Sequence, residues 1–356
     1  MRTPENNQMN FEDIAVQEIL KKDRFYQPLL KLVDFHSLMK PFHDIYSNVG
    51  CPGYPIETGI KCLLVQVFED KSDRQMEELL TYDVRIRYFC GFRLSDTTPD
   101  HSYFSRFRER LGAENLKEIH NRVVEILTDS GLVGGFCSFV DTSDIVRKNN
   151  VWTERDKKIE QDLKVMGLGR DLIKKEPLKK KEQLKKETEL NNSNVSEYSS
   201  DPDARIGCKG KKKYWFGYKR GICVDGRFGI ITKVAVKPAN VPDHHFASEL
   251  YPESGAVLMD KGFDVDRVLY ECPDGVTARV IRKRNRRDKN YDLDRWISSL
   301  RSPFEATFSH LKKKTYYVGL LKNCFKGYIE AIAYNLKKTL KIQEIYPSKF
   351  AQILVS

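Results

Sequence analysis

The chain has 356 residues, 40% of them apolar, enough for two domains with ordinary cores. Its formal net charge of +11 calls for a polyanionic partner, and nucleic acid suits it better than an acidic membrane surface. No apolar run approaches the length of a membrane-spanning helix and the opening MRTPENNQMN lacks the apolar core of a signal peptide, so a cytoplasmic protein with no membrane partner is expected.

Residues 1 to about 30 read as a polar arm and a first helix. Ile60, Leu63, Leu64, Val67 and Phe68 then recur at helical spacing after the breakers Pro52, Gly53 and Pro55, which predicts a core helix. Ser72 is a candidate N-cap for a helix carrying Met76, Leu79 and Leu80, and Val84 to Phe89 form a second short helix before Gly91. In PDHSYFSRFRERLG, Pro99 and Asp100 open a helix that turns Tyr103, Phe104 and Phe107 inward and leaves Arg106, Arg108 and Arg110 outside. Two short helices followed by an arginine-studded one suggest a helix-turn-helix-like DNA reader; a solvated basic face on a plain bundle explains the same spacing. Leu116, Ile119, Val123, Ile126 and Leu127 add a further helix closed by Gly131. Residues 1–130 are therefore expected to form a helical, DNA-binding N-terminal domain.

The pattern changes at GFCSFVDTSDI, Gly135 to Ile145. Phe136, Cys137, Phe139 and Val140 read as a short strand buried on both faces, with Asp141 arriving where burial stops. A carboxylate at the end of a central strand needs something to neutralise it, and ligands bind at that end of open α/β sheets; an Asx-turn is the plainer reading. From Thr153 to Glu189 lysine and glutamate dominate, interrupted by Gly167, Gly169 and Pro177, and a polar stretch through NNSNVSEYSSDPDA follows. The segment at about 151–205 is expected to be a solvated insertion with a flexible end.

Order returns at Tyr214, where two β-rich runs flank Asp225, Gly226 and Arg227, a hairpin signal that makes Asp225 a turn residue. Asn240 to Asp243 start a helix carrying Phe246, Leu250 and Tyr251. GAVLMDKGFD is a second apolar strand ending in a carboxylate, Asp260; a helix to about Tyr270 and a strand from Val276 to Ile281 come next. The run RKRNRRDKN, with Arg282, Lys283, Arg284, Arg286 and Arg287, is expected to face solvent or phosphate.

Two strands ending in Asp141 and Asp260 suit divalent cations, and RSPFEATFSHLKK offers a third acid, Glu305, which on a helix shares a face with Phe308 and Lys312. Pro303 either starts that helix, with Ser302 as N-cap, or bends it, and Ser302-x-x-Glu305 fits a capping box. The eight cysteines show no metal-ligand spacing and read as reduced, packed thiols; His244 and His245 are adjacent, so a zinc site is not expected.

With PDHSYFSRFRERLG, FVDTS, DARIGCKGKKKYWFGYK, the PANVPD turn, VLMDKGF, the Glu305 segment and AIAYNLKK, the chain resembles bacterial insertion-sequence transposases of the Asp-Asp-Glu type along almost its whole length. Several members carry Tyr, two residues, Arg, three residues, Glu, six residues, Lys; Arg301, Glu305 and Lys312 match, and Ser298 replaces the tyrosine. The resemblance implies an α/β, ribonuclease-H-like mixed sheet flanked by helices over residues 131–345. It further implies that Asp141, Asp260 and Glu305 are catalytic and bind two Mg²⁺ or Mn²⁺ ions, which serve hydrolysis at the element's ends and 3′-hydroxyl strand transfer into target DNA. Arg301, Lys312 and the Arg282 to Arg287 run would hold phosphate, the helical part would read terminal inverted repeats, and a homodimer would act on double-stranded DNA at the nucleoid. A metal-dependent nuclease without strand transfer would share the three acids, and a non-catalytic DNA-binding regulator would share the charge.

Overall fold

The computed structural model describes residues 16, 18–46, 53–165, 189–210 and 212–347. Cys51, Pro52, Gly167, Gly169, Pro177 and most of the initial arm lie outside them.

Helices come first because their signals are local. They are α1 (Tyr26–Leu32), α2 (Phe35–Met39), α3 (Ile56–Phe68), α4 (Asp73–Tyr82), α5 (Val84–Phe89) and α6 (His101–Asp129). Asp34 caps α2, a Ser72–Gln75 capping box opens α4, Asp83 caps α5 and Asp100 caps α6, each accepting backbone N–H groups that the helix itself cannot pair. The two helices read from the sequence on either side of Gly112 both form within α6 and meet at a kink where Gly112 takes a non-helical φ of 69°, a conformation glycine adopts without steric cost. Mid-way along α3, Gly59 has no side chain because the Phe107 ring lies where a Cβ would stand.

The core these helices build does not stop at residue 130. The last helix, α12 (Leu320–Ile345), contributes Phe325, Ile329, Ile332, Leu336 and Leu340 to the same apolar cluster as Phe104, Phe107 and Leu116. Its other side packs Ala331 against Ile222, Val224, Ile231 and Val234 of the sheet. Ile231 is pinned from both directions: its N–H and C=O pair with the Asn335 amide at 2.8 Å, and His120 Nε2 stands 3.2 Å from the same carbonyl.

The sheet comprises β1 (Cys137–Arg147), β2 (Arg205–Lys209), β3 (Lys213–Asp225), β4 (Ile231–Pro238), β5 (Gly255–Met259), β6 (Val276–Val280) and β7 (Lys314–Thr315). Long β3 runs antiparallel to β1 and pairs its other edge with β2 and β4, while β1, β5 and β6 are parallel. An antiparallel meander joined to a parallel pair through the first strand is the ribonuclease-H-like order expected. The hairpin forms as read: buried Asp225 accepts N–H groups from Gly134, Gly135 and Arg227, so it is a turn anchor.

Two expectations about β1 are corrected. The strand does not end at Asp141; pairing with β3 carries it through Val146, opposite Gly217. Phe136 is not buried but 86% exposed, because it precedes the strand. Residues 166–188 of the insertion lie outside the described residues, and the described parts on either side are more ordered than their composition suggests. Helix α7 (Val151–Val165) and the short α8 (Val195–Tyr198) bury Val151 and Val195 with Ala204 against Phe216 and Tyr218, and Asp201 accepts the Tyr218 hydroxyl at 2.7 Å. They borrow a core from the sheet instead of making one. The seven described cysteines are free thiols, in keeping with the reduced reading, though Cys208 is exposed, and no described helix is long and apolar enough to cross a membrane.

Candidate active site

The register of two parallel strands sets the site. Pairing between β1 and β5 ends at Val140 opposite Met259, so the next residue on each strand, Asp141 and Asp260, emerges side by side at the carboxyl edge. Ligands bind at this edge in open α/β sheets.

Over that edge lies α11 (Tyr291–Ser309; the chain between carries α9, Ala247–Leu250, and α10, Asp266–Tyr270). Asn290 caps α11, which passes through Pro303 without ending, so Ser302 is no N-cap and the capping-box explanation of Glu305 does not hold. Phe304 stacks on Phe139, ring centres 4.2 Å apart and planes 20° from parallel, and fixes the helix over β1. One turn away, Arg301 reaches both acids: Nη2 donates to Asp141 Oδ2 at 2.8 Å and Nη1 stands 3.6 Å from Asp260 Oδ1. The Arg301 side chain is only 8% exposed, against 31% for Asp141 and 51% for Asp260.

Burial pushes the Asp141 carboxyl above the usual carboxylate range, with smaller upward pushes from Asp260 and Asp243; Arg301 and the Thr142 N–H, 2.7 Å from Oδ1, oppose them. A carboxylate kept in this setting favours a strong positive neighbour. Glu305 lies four residues beyond Arg301 and lines the same cleft of about 870 Å³, exposed to solvent. Among the described residues, no three acids, histidines or cysteines stand close enough to enclose an ion. Asp141 and Asp260 converge on Arg301, then, and Glu305 lines the same cleft without joining them in a three-acid cluster. The donors are carboxylate oxygens, which suit a hard divalent ion held by few protein ligands together with water and phosphate.

The cations divide into those turned outward and those spent inside the protein. Arg284 lines the cleft, and Arg287 is exposed. Their loop is not the uniformly solvated run expected: fully buried Asp264 takes Arg282 Nη1 at 3.0 Å and the Lys283 N–H at 2.7 Å, with Arg286 Nε at 3.5 Å, while Asp294 binds Lys289 and the Arg282 N–H. Internal pairing of this kind braces the loop for the two arginines left over. Lys312 is not on the helix face with Glu305, because α11 stops at Ser309; its ammonium pairs with Asp70 at 2.6 Å. Arg108 is not outward either, being bonded to Asp73 and Gln66 and stacked over Tyr317, whereas Arg106 and Arg110 stay on the surface, Arg110 over the Tyr46 ring.

One participant was not picked out from the sequence as a site residue. Asp243 accepts Thr142 Oγ1 at 3.0 Å and Lys219 Nζ at 2.9 Å, which buttresses the residue after Asp141. The PANVPD turn was visible, but only as a helix start.

Two family models match the chain without overlapping: the transposase domain (DUF772) over residues 14–110 and the transposase DDE domain over residues 173–336. The chain belongs to the DDE transposases. It is accordingly an enzyme of DNA transposition that cleaves DNA and transfers strands, and it depends on a divalent metal. The DDE match takes in Asp260 and Glu305 and begins after Asp141. A cryo-EM structure of a piggyBac transposase synaptic complex with hairpin DNA is similar over 98% of this transposase and 78% of its own chain, at 8% identity and a TM-score of 0.38.

Proposed function

We propose that Asp141, Asp260 and Glu305 are the metal-holding acids of this transposase and that they take two Mg²⁺ or Mn²⁺ ions. The observation that carries the reading is that Asp141 and Asp260 each follow the last paired residue of two adjacent parallel strands and that one guanidinium, Arg301, reaches both. Bound there, the ions would supply the positive charge that makes a water or a 3′-hydroxyl nucleophilic and neutralises the leaving oxygen.

The chain's own residues do the rest. Glu305, on a helix docked by the Phe139–Phe304 stack, lines the cleft that the two aspartates share. Thr142, held by Asp243, donates its backbone N–H to Asp141 Oδ1, which leaves Oδ2, the oxygen Arg301 bonds, as the one turned to a cation. Arg284, at the cleft, and Arg287, on the braced loop beside it, meet phosphate oxygens of the DNA backbone. Residues 1–130, with Arg106 and Arg110 on their surface, contact the terminal inverted repeats, and two copies act together at the nucleoid on the element's ends and the target duplex.

The test is strand transfer in solution. Purified protein, end-repeat DNA, a target plasmid and Mg²⁺ should yield joined products, and Asp141→Asn, Asp260→Asn and Glu305→Gln should each abolish them while DNA binding persists. Joined products from any of the three variants at the parental rate would refute the assignment of that acid.

A further inference from the structure

Arg301 occupies an unusual position for a phosphate-binding residue. Its guanidinium bridges the two aspartates proposed to hold metal, 2.8 Å from one and 3.6 Å from the other, on a side chain almost wholly buried. Two carboxylates side by side repel each other. A monovalent guanidinium relieves that repulsion through the same oxygens a divalent ion would require. Arg301 and an ion on Asp141 and Asp260 are therefore alternatives.

We propose that Arg301 is a built-in competitor of the metal, a positioning residue that holds the aspartates together before ions arrive and makes ion binding depend on DNA. This rests on the reading of Asp141 and Asp260 as metal ligands. When ions bind, the guanidinium has to leave the carboxylates, and taken alone that exchange exposes an arginine without a partner. A DNA backbone in the cleft offers it phosphate oxygens, which accept the same fork of N–H groups. Each ligand then removes part of the other's cost, and by linkage the coupling is the same in both directions. The device would keep the transposase from charging its site with metal until DNA is in place.

The experiment is a Mn²⁺ titration of the full chain, with free ion followed by electron paramagnetic resonance and folding checked by thermal melting. Removing the competitor in Arg301→Gln should tighten Mn²⁺ binding without DNA, by about tenfold for a difference of about 1.4 kcal/mol. Adding a duplex that carries the element's terminal repeat should tighten Mn²⁺ binding to the parent far more than to Arg301→Gln. Arg301→Lys retains a charge but not the fork, so its affinity should fall between the two, and it serves if the glutamine variant does not fold. Loss of binding in Asp141→Asn together with parental or weaker affinity in Arg301→Gln and Arg301→Lys would overturn the competition alone. Unchanged affinity in Asp141→Asn would instead remove the metal reading, and the competition with it.

Discussion

Phe139 and Phe304 lie face to face, 4.2 Å between ring centres, and this stack joins the strand that carries Asp141 to the helix that carries Arg301 and Glu305. Each ring is two residues or fewer from an acid, so the contact sets how far Glu305 stands from the aspartates. Replacing Phe304 by Ala should cost about 3 kcal/mol, as large aromatic truncations do, and lower strand transfer beyond what lost stability explains. Phe304→Leu retains volume and should recover most of the stability but less of the activity. Urea denaturation and joined-product yield at a temperature where both variants are folded would separate the two effects.

The basic loop should behave as a braced platform. Asp264 is fully buried beneath it, and its removal leaves Arg282 and Arg286 without their shared acceptor. Breaking such a buried pair costs about 3–5 kcal/mol, so Asp264→Ala is expected to lower the melting temperature and to weaken DNA binding by loosening the loop. Arg287→Ala, on the exposed side, should leave the melting temperature unchanged and reduce the slope of log affinity against log salt by about one. Equal slopes for parent and Arg287→Ala would take Arg287 off the DNA.

Acid should destabilise the junction between the helices and the sheet. Burial holds His120, beside the Ile231 carbonyl, down to about 4 from an ordinary 6.5. Between those values the unfolded chain binds a proton that the folded one does not, so stability falls as pH drops from 6.5 toward 4, by about 3 kcal/mol at most. Above pH 6.5 the group contributes no slope. Urea midpoints of parent and His120→Gln across pH 4.5 to 7.5 would show it: the variant should lose this part of the acid slope, and parallel curves would contradict the assignment.

The helical half was largely legible because its signals are local. Ser72 with Gln75, and Asp100 at the head of α6, declare their caps within four residues of sequence. The strand acids were legible for a related reason, since an apolar run ending in Asp appears twice, but the true length of β1 depends on β3, whose pairing partners lie far along the chain. What failed were statements about where long cations go. Arg108, Arg282 and Lys312 look alike in sequence to Arg106, Arg287 and Arg284, and only the positions of Asp73, Asp264 and Asp70 decide which are consumed internally. Pro303 left a helix start or a bend open, and the helix start is excluded because the helix runs through it, with Phe304 and Ile297 packed on either side.

Ligand substitution tests most directly whether Asp141 and Asp260 share a cation. A thiolate disfavours Mg²⁺ and accepts softer ions, so Asp141→Cys and Asp260→Cys should each be inactive in Mg²⁺ and regain DNA cleavage in Mn²⁺. Cleavage by either variant in Mg²⁺ at the parental rate, or none in Mn²⁺ from folded protein that still binds DNA, would contradict a metal held between these two strands.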